Sequence, residues 1–223
     1  MALLDRWNHF WSKRVPLRFR FRRIYRGGGF GGTAESASGV GSTLEATSSV
    51  RAGLSELLRE LGVKTLLDAP CGDFHWMKHV DLDAVSYVGV DIVPEVVREN
   101  QGRYPGMRRS FACADLRGDP LPQADLVLCR DCLVHLSNRD ALRVLNNLVR
   151  TGADWFLVTT FPDLHTNRDL VSGMGWRPLN LQLAPFRLPA PKVLLSEQEQ
   201  DEAGNRKALG LWPRAAILQA RGP

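Results

Sequence analysis

No stretch of this 223-residue chain approaches the roughly 20 consecutive apolar residues that cross a bilayer, which argues against a membrane-spanning helix. The start, Met1-Ala2-Leu3-Leu4-Asp5-Arg6-Trp7, lacks the basic-then-apolar order and the small-residue cleavage site of a secretory signal, so a cytoplasmic protein is expected. Cysteine is scarce. The four, at positions 71, 113, 129 and 132, fall at predicted strand ends and turns, which suits reduced thiols better than a disulfide framework. Cys129-x-x-Cys132 is half of a zinc-type pattern, but Cys71 and Cys113 would have to complete it from other strand ends. No metal is therefore expected. Neither an internal repeat nor a long low-complexity segment interrupts the chain, and its length suits one sizeable α/β domain with decorations.

Charge is unevenly spread. Residues 1–30 hold eight basic residues and one acid, a net of +7. The whole chain carries +5, so the remainder carries −2. A basic arm thus precedes a nearly neutral body, whereas a nucleic-acid enzyme more often spreads basic residues around its cleft. Nucleic acid is accordingly an unfavoured partner. Leu3, Leu4, Trp7, Phe10 and Trp11 recur at helical spacing with basic residues beyond, a pattern that can lie on an anionic membrane surface or pack on a core. Peripheral contact at the inner membrane surface is one expectation for the arm. Arg18-Phe19-Arg20-Phe21-Arg22 alternates with period two and suggests a short edge strand.

The most informative segment is Leu66-Leu67-Asp68-Ala69-Pro70-Cys71-Gly72-Asp73-Phe74, a buried strand running into a tight turn. Fourteen residues after Asp73 begins a second apolar strand, Tyr87 to Val90, which ends on Asp91. Strand, open turn, helix and second strand with a terminal acid form a nucleotide-binding βαβ unit. A dinucleotide site would want three glycines so that backbone can approach a pyrophosphate. This turn has only Gly72, and Asp68 and Asp73 would repel that anion. They favour a ligand bearing an ammonium.

The segment resembles motif I of class I S-adenosylmethionine-dependent methyltransferases, in the spelling D-x-P-C-G-D-F. Later segments fit in order: Ser110–Leu116 with Asp115, Ala124–Asp131, the apolar-His-Leu run Val134-His135-Leu136, and Trp155–Phe161. The resemblance covers about Leu54 to Phe161 and implies a Rossmann-like, mostly parallel seven-stranded α/β sheet closed by a C-terminal antiparallel hairpin. It implies S-adenosylmethionine as cofactor. It assigns cofactor contact to Asp68, Ala69, Pro70, Cys71, Gly72 and Asp73, then to Asp91 for the ribose and Ile92 beside the adenine. Asp115 is assigned to the adenine amino group, with Leu116 and Arg130 completing the set. Together with D-A-P-C-G-D-F-x-W-M, the Gly-Gly…Ser-x-Ser-Gly-x-Gly-Ser loop and the N-R-D…G-x-W-R-P-L-N-L…P-F-x-L-P stretch look like those of bacterial and phage methyltransferase-domain proteins.

On this reading residues 1–30 are the arm and 31–223 a single domain. Within it, 31–62 form a cofactor-covering loop and a helix that ends at Gly62, 63–161 the cofactor-binding core, and 162–223 the acceptor-side loops and last strands. Phe74 to Val80 reads as a short helix, Pro94 opens the next, and Arg139–Arg150 packs on the sheet. The Pro- and aromatic-rich stretch after Phe161 suits an acceptor wall rather than core. Lys192–Leu195 and Ala208–Trp212 are the last strands, with Glu197–Lys207 as the polar loop between them. His135 is the candidate general base, since histidine titrates near neutrality. Asp131 orients the acceptor or binds the cofactor ammonium. His165 is a weaker candidate for the pocket, and Trp76 is read as packing.

The activity expected is O-methylation of a small molecule or glycan. The alternatives are an RNA or protein methyltransferase using the basic arm, or an inactive cofactor-binding module. The N-P-P-Y/F-type motif expected for amino-group methylation of bases is missing; Arg130-Asp131-Cys132-Leu133 stands there instead.

Overall fold

The computed structural model describes residues 15–28, 31, 34–82 and 84–220. The apolar pattern over residues 3–11 lies outside them. Seven strands form one sheet: β1 (Thr65–Asp68), β2 (Ser86–Asp91), β3 (Arg109–Cys113), β4 (Leu126–Cys129), β5 (Trp155–Thr160), β6 (Val193–Gln200) and β7 (Arg206–Pro213). Their order is β3-β2-β1-β4-β5-β7-β6. Strands β1 to β5 pair in parallel, and β7 runs antiparallel between β5 and β6. Among the described residues the α-helices are α1 (Leu17–Arg26), α2 (Ser48–Glu60), α3 (Pro94–Arg103), α4 (Asn138–Leu148) and α5 (Arg214–Gln219).

Successive strand residues point to opposite faces, so near-continuous apolar runs bury both. Leu67, Val127, Phe156 and Val158 join α4, α5 and Leu17 of α1 in one core. Leu66, Leu126, Leu128 and Leu157 join α2, Phe74 and Met77 in the other. Local signals set the helix ends. Gly62 follows α2 in the left-handed region (φ 62°), Pro94 opens α3, and the Ser137 hydroxyl accepts the Asp140 N–H to cap α4. The chain leaves β1 for β2 on one side and returns to β4 on the other. The carboxyl ends of β1 and β4 therefore flank the crevice where ligands bind in such sheets.

Four expectations fail. Arg18–Arg22 is helix, not edge strand: Leu17, Phe21, Ile24 and Tyr25 recur at helical spacing and turn inward, and α1 docks on the domain. Gly173 shows how closely: a Cβ there would meet the Arg20 Cβ at 3.2 Å. Phe74–Val80 forms turns and one 3-10 turn (Met77–His79) because Phe74 sits at φ 58°, outside helical backbone. The loop predicted over Glu197–Lys207 is shorter: β6 reaches Gln200 and β7 starts at Arg206, with Asp201 bonding the Ala203 and Asn205 amides in the turn. Part of the stretch after Phe161 is core, because Leu179, Leu181, Phe186 and Leu188 pack against the α4 layer. Its polar signature is internal stapling. Arg177 donates to the carbonyls of Leu133, Leu136 and Arg168, and Asn180 to those of Pro162 and Leu164.

Candidate active site

A cavity of about 780 Å³ opens at the carboxyl ends of β1, β2 and β4, within the size range of small-molecule sites. One end is built from the motif I turn and the next two strand ends. Pro70, Cys71, Gly72, Asp73, Ile92 and Leu116 line it with Asp68, Asp91 and Asp115. Ala69 does not: it is fully buried beneath the turn, donating its N–H to the Leu128 carbonyl at 2.9 Å. Its assignment to cofactor contact is corrected to core.

The three strand-end acids differ in state. Burial pushes Asp68 up to about 7, partly offset by the Tyr87 hydroxyl, which donates to it at 2.7 Å. Burial likewise pushes Asp91 up to about 6, against the amides of Val93 (2.9 Å) and Gly72 (3.2 Å), which donate to its two oxygens. The Ile92 amide contributes a third bond, and since a carboxylate has about four lone-pair sites, Asp91 keeps capacity for a further hydroxyl donor. Burial would raise Asp115 as well, but Arg117 outweighs it, donating from Nε at 2.9 Å and Nη2 at 2.6 Å.

Asp73 is not a carboxylate waiting for an ammonium. It accepts from the Ser36 hydroxyl (2.9 Å), the Ala37 amide (2.8 Å) and the Ser38 hydroxyl (3.0 Å). Its own N–H donates back to Ser38 Oγ at 3.0 Å. Its charge holds segment 36–38 over the turn, which corrects its assignment. Gly72 is what lets that segment approach: at φ 53°, a Cβ there would lie 2.5 Å from Ser38 Oγ. Tyr25 of α1 reaches the same place, sharing a 3.1 Å hydrogen bond with Ser38.

The other end is held by charge. Arg130 is buried, donates to the Gly41 carbonyl at 2.7 Å, ion-pairs with Glu197, and lies 3.2 Å from Asp131 and 5.4 Å above the Trp76 ring. Arg130 thus anchors the 39–42 loop, and Trp76 both packs and lines the cavity. Lys207 is equally buried and contacts Asp131 (2.6 Å), Glu199 (2.5 Å) and Glu197 (3.2 Å). Burial would raise Asp131, but Lys207 and Arg130 hold it at about 2. It is an ion-paired anchor at φ 52°, with its N–H on Thr159 Oγ1 at 2.8 Å, and not a proton acceptor near neutrality.

His135 follows in a 3-10 turn, with its Nδ1 2.9 Å from the Gly175 carbonyl. A carbonyl only accepts, so Nδ1 carries the proton and Nε2 is the basic nitrogen. Burial pushes the imidazole below its usual pKa, against the Gly175 bond and the Asp131 charge. The ring is therefore neutral at pH 7. His165 does not line the cavity, and His75 is bound to Glu35 at 2.9 Å.

Cys71 and Cys129 are buried thiols; burial pushes the first well up, and hydrogen bonding to Cys132 the second. Among the described residues, no group of three His, Cys, Asp or Glu is placed to hold a metal. Nor is any described helix long and apolar enough to cross a membrane.

Sequence reasoning missed Glu197, Glu199 and Lys207, which sat in a presumed polar loop. It also missed the inward face of α1. The available signal was Lys207 leading directly into the apolar run Ala208–Trp212, the mark of a strand position.

The sheet order, the antiparallel last pair and acids on successive strand ends define the class I S-adenosylmethionine-dependent methyltransferase fold. Residues 66–152 match the family model described as a methyltransferase domain. No curated protein matches it. Solved structures do. A 1,6-didemethyltoxoflavin-N1-methyltransferase from Burkholderia thailandensis, with S-adenosylhomocysteine bound, aligns with TM-score 0.59 at 18% identity, over 87% of this chain and 85% of that one. Magnesium protoporphyrin IX methyltransferase from Synechocystis PCC 6803 aligns with TM-score 0.58 at 12% identity, over 88% and 96%. The methyltransferase domain of a bacterial Hen1 aligns with TM-score 0.55 at 14% identity, over 75% and 99%.

Proposed function

We propose that this enzyme transfers the methyl group of S-adenosylmethionine to a hydroxyl oxygen of a small molecule or glycan. The observation that carries the reading is one cavity with strand-end acids at one end and a neutral, backbone-oriented histidine at the other.

When bound, S-adenosylmethionine supplies an electrophilic methyl on a positively charged sulfur. Asp91 would accept from the ribose, with Ile92 and Leu116 beside the adenine. Asp68, once ionised, is the acid left for the ammonium, since Asp73 is committed to Ser36, Ala37 and Ser38. His135 Nε2 would take the proton of the acceptor hydroxyl as that oxygen receives the methyl. The electron pair of the broken bond would stay on sulfur. Holding the two reactants aligned supplies much of the acceleration, and the base assists. Helix α1 and the 38–42 loop supply walls of the cavity.

Two features weigh against an RNA acceptor. Helix α1 turns Leu17, Phe21, Ile24 and Tyr25 toward the cavity. Its Arg22 and Arg26 pair with Glu95, and its Arg20 donates to the Ser172 carbonyl, so this charge is not aimed at the site.

Calorimetry with S-adenosylhomocysteine tests the reading. Wild-type protein should bind it, and Asp91→Ala should weaken binding about a hundredfold, the loss of hydrogen bonds to a charged acceptor. Absence of binding by the wild-type chain would overturn the proposal.

A further inference from the structure

We infer that the acceptor is a small, uncharged hydroxyarene: a flat apolar ring carrying the hydroxyl that is methylated. This rests on the methyl-transfer reading above and narrows it.

The walls around His135 are aromatic and come from two separate parts of the chain. Leu17 and Phe21 enter from α1, and Phe161, Met174 and Trp176 from the segment after β5. Phe21 stands edge-on to the His135 ring at 6.5 Å and 85°, and Trp176 edge-on to Phe161 at 5.6 Å and 79°. Trp176 is 46% exposed although it lines the cavity, so much of its indole is left for a further contact. Such walls reward a planar ring by stacked or edge-to-face contact.

The charged groups here are already committed to one another. Lys207 holds Asp131 and Glu199. Arg117 holds Asp115 at 2.6 Å and Asp140 at 3.3 Å. A sugar brings several hydroxyls that must exchange water for protein partners, and each bond left unmade costs binding. A ring with one hydroxyl asks only for His135.

Charge makes the second selection. Among the described residues the ion pairs of Asp131, Glu197 and Glu199 are with Arg130 and Lys207, three negative groups against two positive, so this network carries a net negative charge. A carboxylate, phosphate or polynucleotide acceptor would meet a like charge across a poorly screened cavity. A protonated amine has no lone pair with which to attack.

The test uses the full chain loaded with S-adenosylhomocysteine and four probes by calorimetry: 2-naphthol, 6-hydroxy-2-naphthalenesulfonate, methyl β-glucoside and a short oligoribonucleotide. Release of S-adenosylhomocysteine from S-adenosylmethionine is followed with the same set. The expected order is 2-naphthol bound and methylated, its sulfonate at least about tenfold weaker, and glucoside and oligonucleotide without effect. Trp176→Ala should weaken 2-naphthol about tenfold and leave S-adenosylhomocysteine affinity within about twofold, which also reports that the variant is folded. Equal affinity for 2-naphthol and its sulfonate, preference for the glucoside or the oligonucleotide, or indifference of 2-naphthol to Trp176→Ala would each overturn the inference. If S-adenosylhomocysteine binds and 2-naphthol does not, the acceptor class alone falls. If S-adenosylhomocysteine itself does not bind, the methyl-transfer reading falls with it.

Discussion

At one end of the cavity Asp68 and Asp91 sit among apolar neighbours with pKa values near 7 and 6, each ready to change protonation when a ligand arrives. At the other end Asp131 is held at about 2 inside a buried network with Arg130, Lys207, Glu197 and Glu199. Both ends gather carboxylates in low dielectric, yet Asp68 and Asp91 make none of the ion pairs that hold Asp131. An acid without a counter-ion answers burial by moving its pKa, and the ligand's own charge can become its partner. An acid with one stays fixed and ties chain segments together. The difference separates a recognition surface from a frame: the frame joins β4, β5 and the β6–β7 hairpin behind His135.

Breaking that frame should give the largest effect. Lys207→Met leaves Arg130 as the counter-ion among Asp131, Glu197 and Glu199, and uncompensated buried charge costs about 3–5 kcal/mol of stability. Thermal or denaturant unfolding reads it. The double variant Lys207→Met/Glu197→Gln removes one cation and one anion, restores the native excess of one negative charge, and should recover part of the loss. Asp68→Asn is the contrast. The amide resembles the protonated acid and still accepts from Tyr87, so stability should change by less than about 1 kcal/mol. Equal losses for Lys207→Met and Asp68→Asn would erase the distinction between the two ends.

A smaller separation is expected in catalysis. His135→Gln keeps a side chain able to bond the Gly175 carbonyl but offers no basic nitrogen. Turnover should fall by about a hundredfold or more, while S-adenosylhomocysteine affinity holds. A parallel fall in both would mean that His135 serves the donor end, against its position beside Phe21 and Gly175.

The donor end was legible in the sequence because it is local. Asp68, Gly72 and Asp91 lie within one βαβ unit, where strand ends and turn are fixed by short-range pattern. Asp73 shows the limit even there: its partners at Ser36, Ala37 and Ser38 are more than thirty residues upstream, and nothing in D-A-P-C-G-D-F reveals them. The mostly parallel sheet and its terminal antiparallel pair followed from the family resemblance, and helix ends such as those at Gly62 and Pro94 from local signals. The acceptor end was not. Lys207 and Asp131 are 76 residues apart in the chain, and Arg130 and Glu197 are 67 apart. Such long-range pairs turn residues that read as a solvated loop into buried strand. Helix α1 was missed because Arg at every second position imitates a strand, while the buried spacing of Leu17, Phe21 and Ile24 is helical.

The finest test of the contrast is pH, because the two ends should titrate in different ranges. Above pH 7 Asp68 is ionised and can pair with the ligand ammonium. As the pH drops through about 7 the empty site gains a proton at Asp68, and through about 6 a second at Asp91. Ligand binding must expel them, so S-adenosylhomocysteine affinity should fall with falling pH, approaching about tenfold per unit per group below each pKa. Asp131, at about 2, stays ionised throughout and contributes no slope. Asp68→Asn should remove the limb near 7 and leave the one near 6, giving weaker but flatter binding. Calorimetry between pH 8 and 5, about one unit either side of the two values, resolves both limbs. An affinity that stays level over that range would mean the two acids are already neutralised in the empty site, and that the donor end is built like the frame after all.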